Sequence, residues 1–141
     1  MEFMRNVIIL ALALAVTENI HAQEKTLYER LGGGEVITRA ANEIVENVSH
    51  DPLSSRSFEG VALKPLKAKV AEHLCAISNG PCKYSGENMA VAHTGLAITA
   101  DEFQIMGAYL HTAFSRQGVD SQALAELEAI LERLRPDILL K

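Results

Sequence analysis

Apolar positions recur at helical spacing along most of the chain. Between Glu35 and Ser49, the residues Ile37, Ala41, Ile44 and Val48 fall three to four apart, with Arg39, Glu43, Glu46 and Asn47 on the other faces, the signature of a helix with one buried stripe. Leu63, Leu66, Val70, Leu74 and Ile77 mark a second long helix. Phe103, Met106, Leu110 and Phe114 mark a third, and Leu124, Leu127, Leu131 and Leu134 a fourth. Shorter helical stretches are expected over Thr26–Leu31 and from about Glu87 to Leu96. Gly32-Gly33-Gly34, His50-Asp51-Pro52, Asn79-Gly80-Pro81, Gly118 and Pro136 punctuate these segments, because glycine ends helices and proline cannot continue one. Thr99-Ala100-Asp101-Glu102 has the spacing of a capping box. No segment alternates convincingly at period two and no internal repeat is present, so the expected fold class is all-α.

The first residues stand apart from this pattern. Arg5 precedes Val7–Val16, an unbroken run of ten apolar residues, and a polar stretch then leads to Ala22. This is the layout of a secretory signal. Ten helical residues rise only ~15 Å, about half of a bilayer core, so a spanning helix is not expected. An uncleaved apolar anchor or a buried N-terminal helix is the alternative. The expected division is residues 1–22 as signal and 23–141 as a single domain, exported to a periplasmic or extracellular space, with no membrane span once the signal is removed.

The 141 residues carry a net charge of −5, and nucleic-acid-binding modules usually show the opposite sign. Four Phe, three Tyr and no Trp give a mostly aliphatic core that is small for its polar surface, which leaves room for a bound group. Of the five His, His21 would leave with the signal, and His50 and His111 read as surface or boundary residues. His93 differs. It shares a helical face with Met89 and Leu96 and is flanked by the small residues Ala90, Ala92, Thr94 and Gly95, so it is either a packed core histidine or a ligand to something flat and large. His73 lies in an apolar stripe and is expected deep in the core, hydrogen-bonded there and out of reach of a metal. Zinc is a weak reading for His73, Cys75, Cys82 and His93. His73 and Cys75 project roughly 200° apart around one helix, and a structural zinc needs four converging ligands.

Leu27-Tyr28-Glu29-Arg30-Leu31-Gly32-Gly33, followed by Gly80-Pro81, Tyr84, Gly86, Met89, His93, Gly95 and Ile98-Thr99 in register, resembles the group I truncated haemoglobins. The resemblance covers Leu27 to about Leu134. It implies a shortened globin fold, two helices crossing two others around non-covalent haem b, with His93 as the proximal iron ligand. It also implies Phe58, Tyr84 and Met89 as haem contacts. The implied ligands are the diatomic gases O2, NO and CO. Oxidation of nitric oxide is one reaction such a protein can support, given an external reductase or electron donor.

The distal side departs from the family pattern. Val45 and Val70 stand where the family's usual oxygen-stabilising Tyr and Gln are expected, and Leu66 also faces the pocket. Bound oxygen would lack a hydrogen-bond donor and be held weakly. Lys69, next to Val70, has two readings. A neutral amine could close the iron's sixth position, giving a six-coordinate electron-transfer or redox- and gas-sensing protein. Alternatively, it is a surface lysine reaching over the haem edge toward a propionate. The second is favoured, since Lys64 and Lys67 make the exposed faces of the same helix basic. Cys75 and Cys82 are close enough in sequence to form a disulfide, which an exported protein would retain; two buried thiols are the alternative.

Overall fold

A computed structural model describes residues 23–139; the expected signal segment 1–22 lies outside the described residues. Helix α1 (Leu27–Arg30) is a single turn. It survives because Thr26 caps it: Thr26 Oγ1 accepts the Glu29 N–H at 3.2 Å while a Glu29 carboxylate oxygen accepts the Thr26 N–H at 2.8 Å. The reciprocal pair satisfies amides that a helix start otherwise leaves bare. Helix α2 (Gly33–His50) follows, then a 3-10 turn (Ser55–Phe58), α3 (Leu63–Ile77), α4 (Met89–Ala92), α5 (Ala100–Arg116), α6 (Ser121–Arg133) and α7 (Arg135–Ile138). The regular elements among the described residues are all helical, apart from one isolated parallel bridge between Ile98 and Leu139. None of these helices is long and apolar enough to cross a membrane.

Two boundaries differ from expectation, and one helical turn is unexpected. Helix α2 starts inside the glycine run, at Gly33. The stretch from Glu87 to Leu96 is reduced to the single turn of α4, because Gly95 (φ +81°) and Ala97 (φ +48°) adopt left-handed backbone that no helix accommodates. The helix carrying Leu124, Leu127 and Leu131 ends at Arg133, before Pro136 as expected, but one more turn, α7, follows it. Pro136 sits in the first turn of α7, where its missing N–H costs nothing.

The core lies where α2 packs against α3 on one side and α5 on the other, with α6 closing over α5. Ile37, Ala40, Ala41 and Ile44 of α2 meet Leu110, Ala113 and Phe114 of α5, Leu124 and Leu127 of α6, and Leu27 and Leu31 from the N-terminal turn. This is the two-over-two helical sandwich. Helix α3 contributes less to it: only Leu74 and Cys75 are buried, and its remaining apolar face lines a cavity. Cys75 and Cys82 are joined as a disulfide. Gly80 lies beneath it. A Cβ there would come within 2.5 Å of both Cys75 Sγ and the Tyr28 ring, so only glycine lets the chain turn so close to α3.

Two irregular segments flank the cavity, and one side chain holds both. Glu102 is buried, with 5% of its surface exposed. One of its carboxylate oxygens completes the expected capping box with the Thr99 N–H at 2.8 Å and also accepts from Arg56 at 2.5 Å. The other accepts from Ser57 Oγ at 2.9 Å. Arg56 continues to the Leu96 and Ala97 carbonyls at 3.2 and 3.0 Å. Burial pushes the Glu102 carboxyl up, but the bonds from Thr99, Ser57 and Arg56 outweigh it and hold the group below its ordinary value. Stability from such a group is complete above the ordinary carboxylate pKa and is lost as pH falls through the depressed one. We expect Glu102→Gln to lower unfolding stability by about 1–3 kcal/mol at neutral pH, with the difference from wild type shrinking at an acidic pH below the ordinary carboxylate range. Urea denaturation of both proteins at the two pH values checks this.

Candidate functional site

All seven residues singled out as cofactor contacts, Phe58, Leu66, Lys69, Val70, Tyr84, Met89 and His93, line one cavity of about 600 Å³. That volume falls within the range of small-molecule and cofactor sites. Helix α2 contributes Ile44, Val45 and Val48, α3 contributes Leu66, Val70 and His73, and α5 contributes Phe103, Met106 and Leu110. The walls are predominantly aliphatic and aromatic. Their polar atoms are mostly committed elsewhere: Ser54 Oγ donates to the Val48 carbonyl at 2.6 Å, and Ser57 and Glu102 bond each other.

His93 is the C-terminal cap of α4. The Met89 carbonyl accepts both its backbone N–H, at 3.1 Å, and its ring Nδ1–H, at 2.8 Å. A carbonyl can only accept, so this bond places the ring proton on Nδ1 and leaves the Nε2 lone pair free. Fixing one ring nitrogen in this way is how proteins orient an imidazole toward a metal. The helix carrying it is one turn long and cannot support itself. Asn88 holds its start, with the side-chain oxygen accepting the Val91 N–H at 3.0 Å.

On the α2 and α3 walls of the cavity, Val45 is fully buried and Val70 half-buried, and neither offers a hydrogen bond. Lys69 sits at the edge, where its amine donates to Ser85 Oγ and pairs with Glu72 at 3.4 Å. Ser85 in turn donates to Glu72 through both its hydroxyl, at 2.7 Å, and its backbone N–H, at 3.1 Å. Those two bonds, aided by Lys69, hold the Glu72 carboxyl below its ordinary value.

His73 departs from expectation. It lines the cavity instead of sitting hydrogen-bonded in the core, and its ring meets Tyr84 edge-on at 5.0 Å between centroids. Burial, with a smaller contribution from nearby His93, lowers its pKa, so it is neutral at neutral pH. Burial and the charges of Glu72 and Glu87 raise that of Tyr84. His50 and His111 are surface residues as expected; His111 pairs with Glu128 at 2.7 Å.

Sequence reasoning missed Phe103, Met106 and Leu110 as cavity walls, although their helical stripe was evident. It also missed Arg56. A helical stripe does not distinguish core positions from cavity walls, and nothing local marks Arg56 as the partner of a carboxylate 46 residues away.

An all-α sandwich enclosing an apolar cavity, with an oriented imidazole on one wall, defines a haem-pocket globin. The chain belongs to the bacterial-like globin family, whose model matches residues 26–139. It is 30% identical over 117 residues to the group 1 truncated hemoglobin GlbN of Mycolicibacterium paratuberculosis, a match covering 83% of this chain and 86% of that one. It is 26% identical to the group 1 truncated hemoglobin of Tetrahymena thermophila, covering 83% and 97%. The fold superposes on the Fe(III) form of truncated hemoglobin from Tetrahymena pyriformis with a TM-score of 0.79 at 26% identity, covering 83% of this chain and all of that one. Its cofactor is haem b, held without a covalent link, and the cavity's volume, apolar walls and free imidazole nitrogen fit that group.

Because α4 depends on its cap, Asn88→Ala should loosen the His93 turn by about 1 kcal/mol. Loss of haem to an apoglobin acceptor should quicken roughly fivefold, measured from the absorbance change on transfer.

Proposed function

We propose that this protein binds diatomic gases (O2, NO and CO) at a haem iron held by His93, and that it works outside the cytoplasm. The observation that carries the reading is the His93 ring, turned by its Nδ1 bond to the Met89 carbonyl so that Nε2 is the free nitrogen in an apolar cavity. Bound haem would supply an iron that the His93 imidazole would hold and to which a gas could bind. Phe58, Met89, Leu66 and Val70 provide the apolar walls that keep water from the macrocycle. Lys69 and Tyr84 stand at the edge, where polar groups of the cofactor would meet solvent.

The wall opposite His93 decides what the gas can do. Val45 and Val70 offer no donor to the partial negative charge of bound oxygen. In a dry site one missing hydrogen bond is worth roughly 1–3 kcal/mol, whereas CO carries little charge and loses less. Such a pocket is poorly suited to oxygen storage. It suits a protein that consumes its ligand: nitric oxide, oxygen and one electron combine to give nitrate, the electron coming from an external donor. A six-coordinate haem with Lys69 on the iron is the second reading, and the bond to Ser85, more than the ion pair with Glu72, weighs against it by holding the amine at the edge. The Cys75–Cys82 disulfide supports export, since such bonds persist in oxidising compartments.

The haem-loaded protein should show a Soret band that His93→Ala abolishes or shifts to a weak, broad form, while a band unchanged by that substitution removes His93 as the ligand. Val70→Gln should slow oxygen dissociation by roughly tenfold to a hundredfold by restoring a donor, and stopped-flow displacement of oxygen by CO measures it. An unchanged rate would mean that Val70 does not face the gas.

A further inference from the structure

Residues 81–87, between α3 and α4, make no backbone-to-backbone hydrogen bond among the described residues. What holds the segment is a row of side-chain attachments to the cavity edge of α3. Cys82 is bonded to Cys75. Tyr84 packs edge-on against His73. Ser85 bonds Glu72 twice and accepts from the Lys69 amine. Thus the segment grips Lys69 and His73, two side chains of α3 that could enter the cavity with a nitrogen lone pair, and a covalent bond fastens the segment.

We propose that this segment is a latch that keeps Lys69 off the haem iron, and that the Cys75–Cys82 disulfide is its redox-sensitive lock. With the disulfide intact, the amine stays with Ser85 and Glu72 and the sixth position is open to a gas. The sulfur of Cys82 lies on an exposed residue and that of Cys75 is buried, so an incoming thiolate attacks Cys82 and expels Cys75, which takes a proton. The second thiol of a dithiol reductant then resolves the mixed disulfide. Two protein thiols form and the reductant leaves as its own disulfide. The freed segment has no backbone hydrogen bonds to hold it in place, and such segments open first. Once Ser85 leaves, Lys69 keeps only a partly exposed pair with Glu72, a contact that contributes little. The amine is then available to the iron, and the protein passes from a gas-binding to a self-capped state. This inference rests on the haem-iron reading above and adds a control to it.

The test uses ferric, haem-loaded protein and cyanide as the probe ligand. With the disulfide intact, electron paramagnetic resonance should show a mainly high-spin signal. After reduction by a water-soluble phosphine it should turn low-spin, and cyanide should bind roughly tenfold more slowly because only the uncapped fraction is competent. Lys69→Ala should abolish both changes. Ser85→Ala, which leaves the disulfide in place, should reproduce them in part without depending on how well a cysteine variant folds. The proposal is overturned if reduction changes neither the spin state nor the cyanide rate, if the same changes persist in Lys69→Ala, or if a Lys69-dependent low-spin signal is present before reduction. Failure of the haem reading is visible separately, as a Soret band that never forms or ignores His93→Ala.

Discussion

The cavity depends on one buried carboxylate. The 3-10 turn at Ser55–Phe58 and the irregular stretch from His93 to Ile98 have few apolar residues to bury in the core, because their large side chains, Phe58 and Leu96 among them, face the cavity. Hydrophobic packing therefore cannot fix these segments. Glu102 does so with directional bonds, taking the start of α5 through Thr99, the 3-10 turn through Ser57 and Arg56, and the post-His93 stretch through the carbonyls that Arg56 reaches. A buried charge of this kind is tolerated only when each lone pair is used, and here both oxygens are. The geometry of His93 inherits that constraint, since a one-turn helix has no cooperative strength of its own.

The two walls of the cavity are built on opposite principles. On the α4 side a backbone carbonyl sets the orientation and tautomer of an imidazole, so its nitrogen is presented without any side-chain partner. On the α3 side the facing residues are apolar, and the groups with lone pairs lie at the edge in the grip of the 81–87 segment. A lysine is a poor intruder into an apolar space because it must shed both a proton and its hydration. The Glu72–Ser85 contacts raise that cost further. Small changes at the edge can therefore alter which polar groups reach the cavity.

Much of this could be read along the chain. The four long helices follow from their apolar stripes, and the Thr99–Glu102 box marked the start of α5. The clustering of Phe58, Leu66, Lys69, Val70, Tyr84, Met89 and His93 around one cavity is what the resemblance to the truncated haemoglobins, carried by the glycines, the Met and the His, implied. What escaped was of three physical kinds. Helix ends were misjudged where a competing backbone preference wins, as at Gly95 and Ala97. The Thr26–Glu29 box had the right spacing and was passed over. Pairings between distant residues, Arg56 with Glu102 and His73 with Tyr84, leave no periodic trace, because each partner alone looks like an ordinary polar residue on a helix or turn.

The aliphatic character of the core now has a structural explanation. Of the three phenylalanines among the described residues, Phe114 is buried between the helices, whereas Phe58 and Phe103 stand on the cavity wall. Helix α3 likewise buries Leu74 and Cys75 in the core and turns Leu66 and Val70 to the cavity. The apolar surface of this small domain is thus divided between its own interior and its cofactor. A ligand that binds only the folded chain stabilises it by mass action, and haem binding a wall of this size would contribute heavily. Cofactor retention and folding stability are consequently one property here, and the Glu102 network, the Asn88 cap and the disulfide-fastened segment act on both at once.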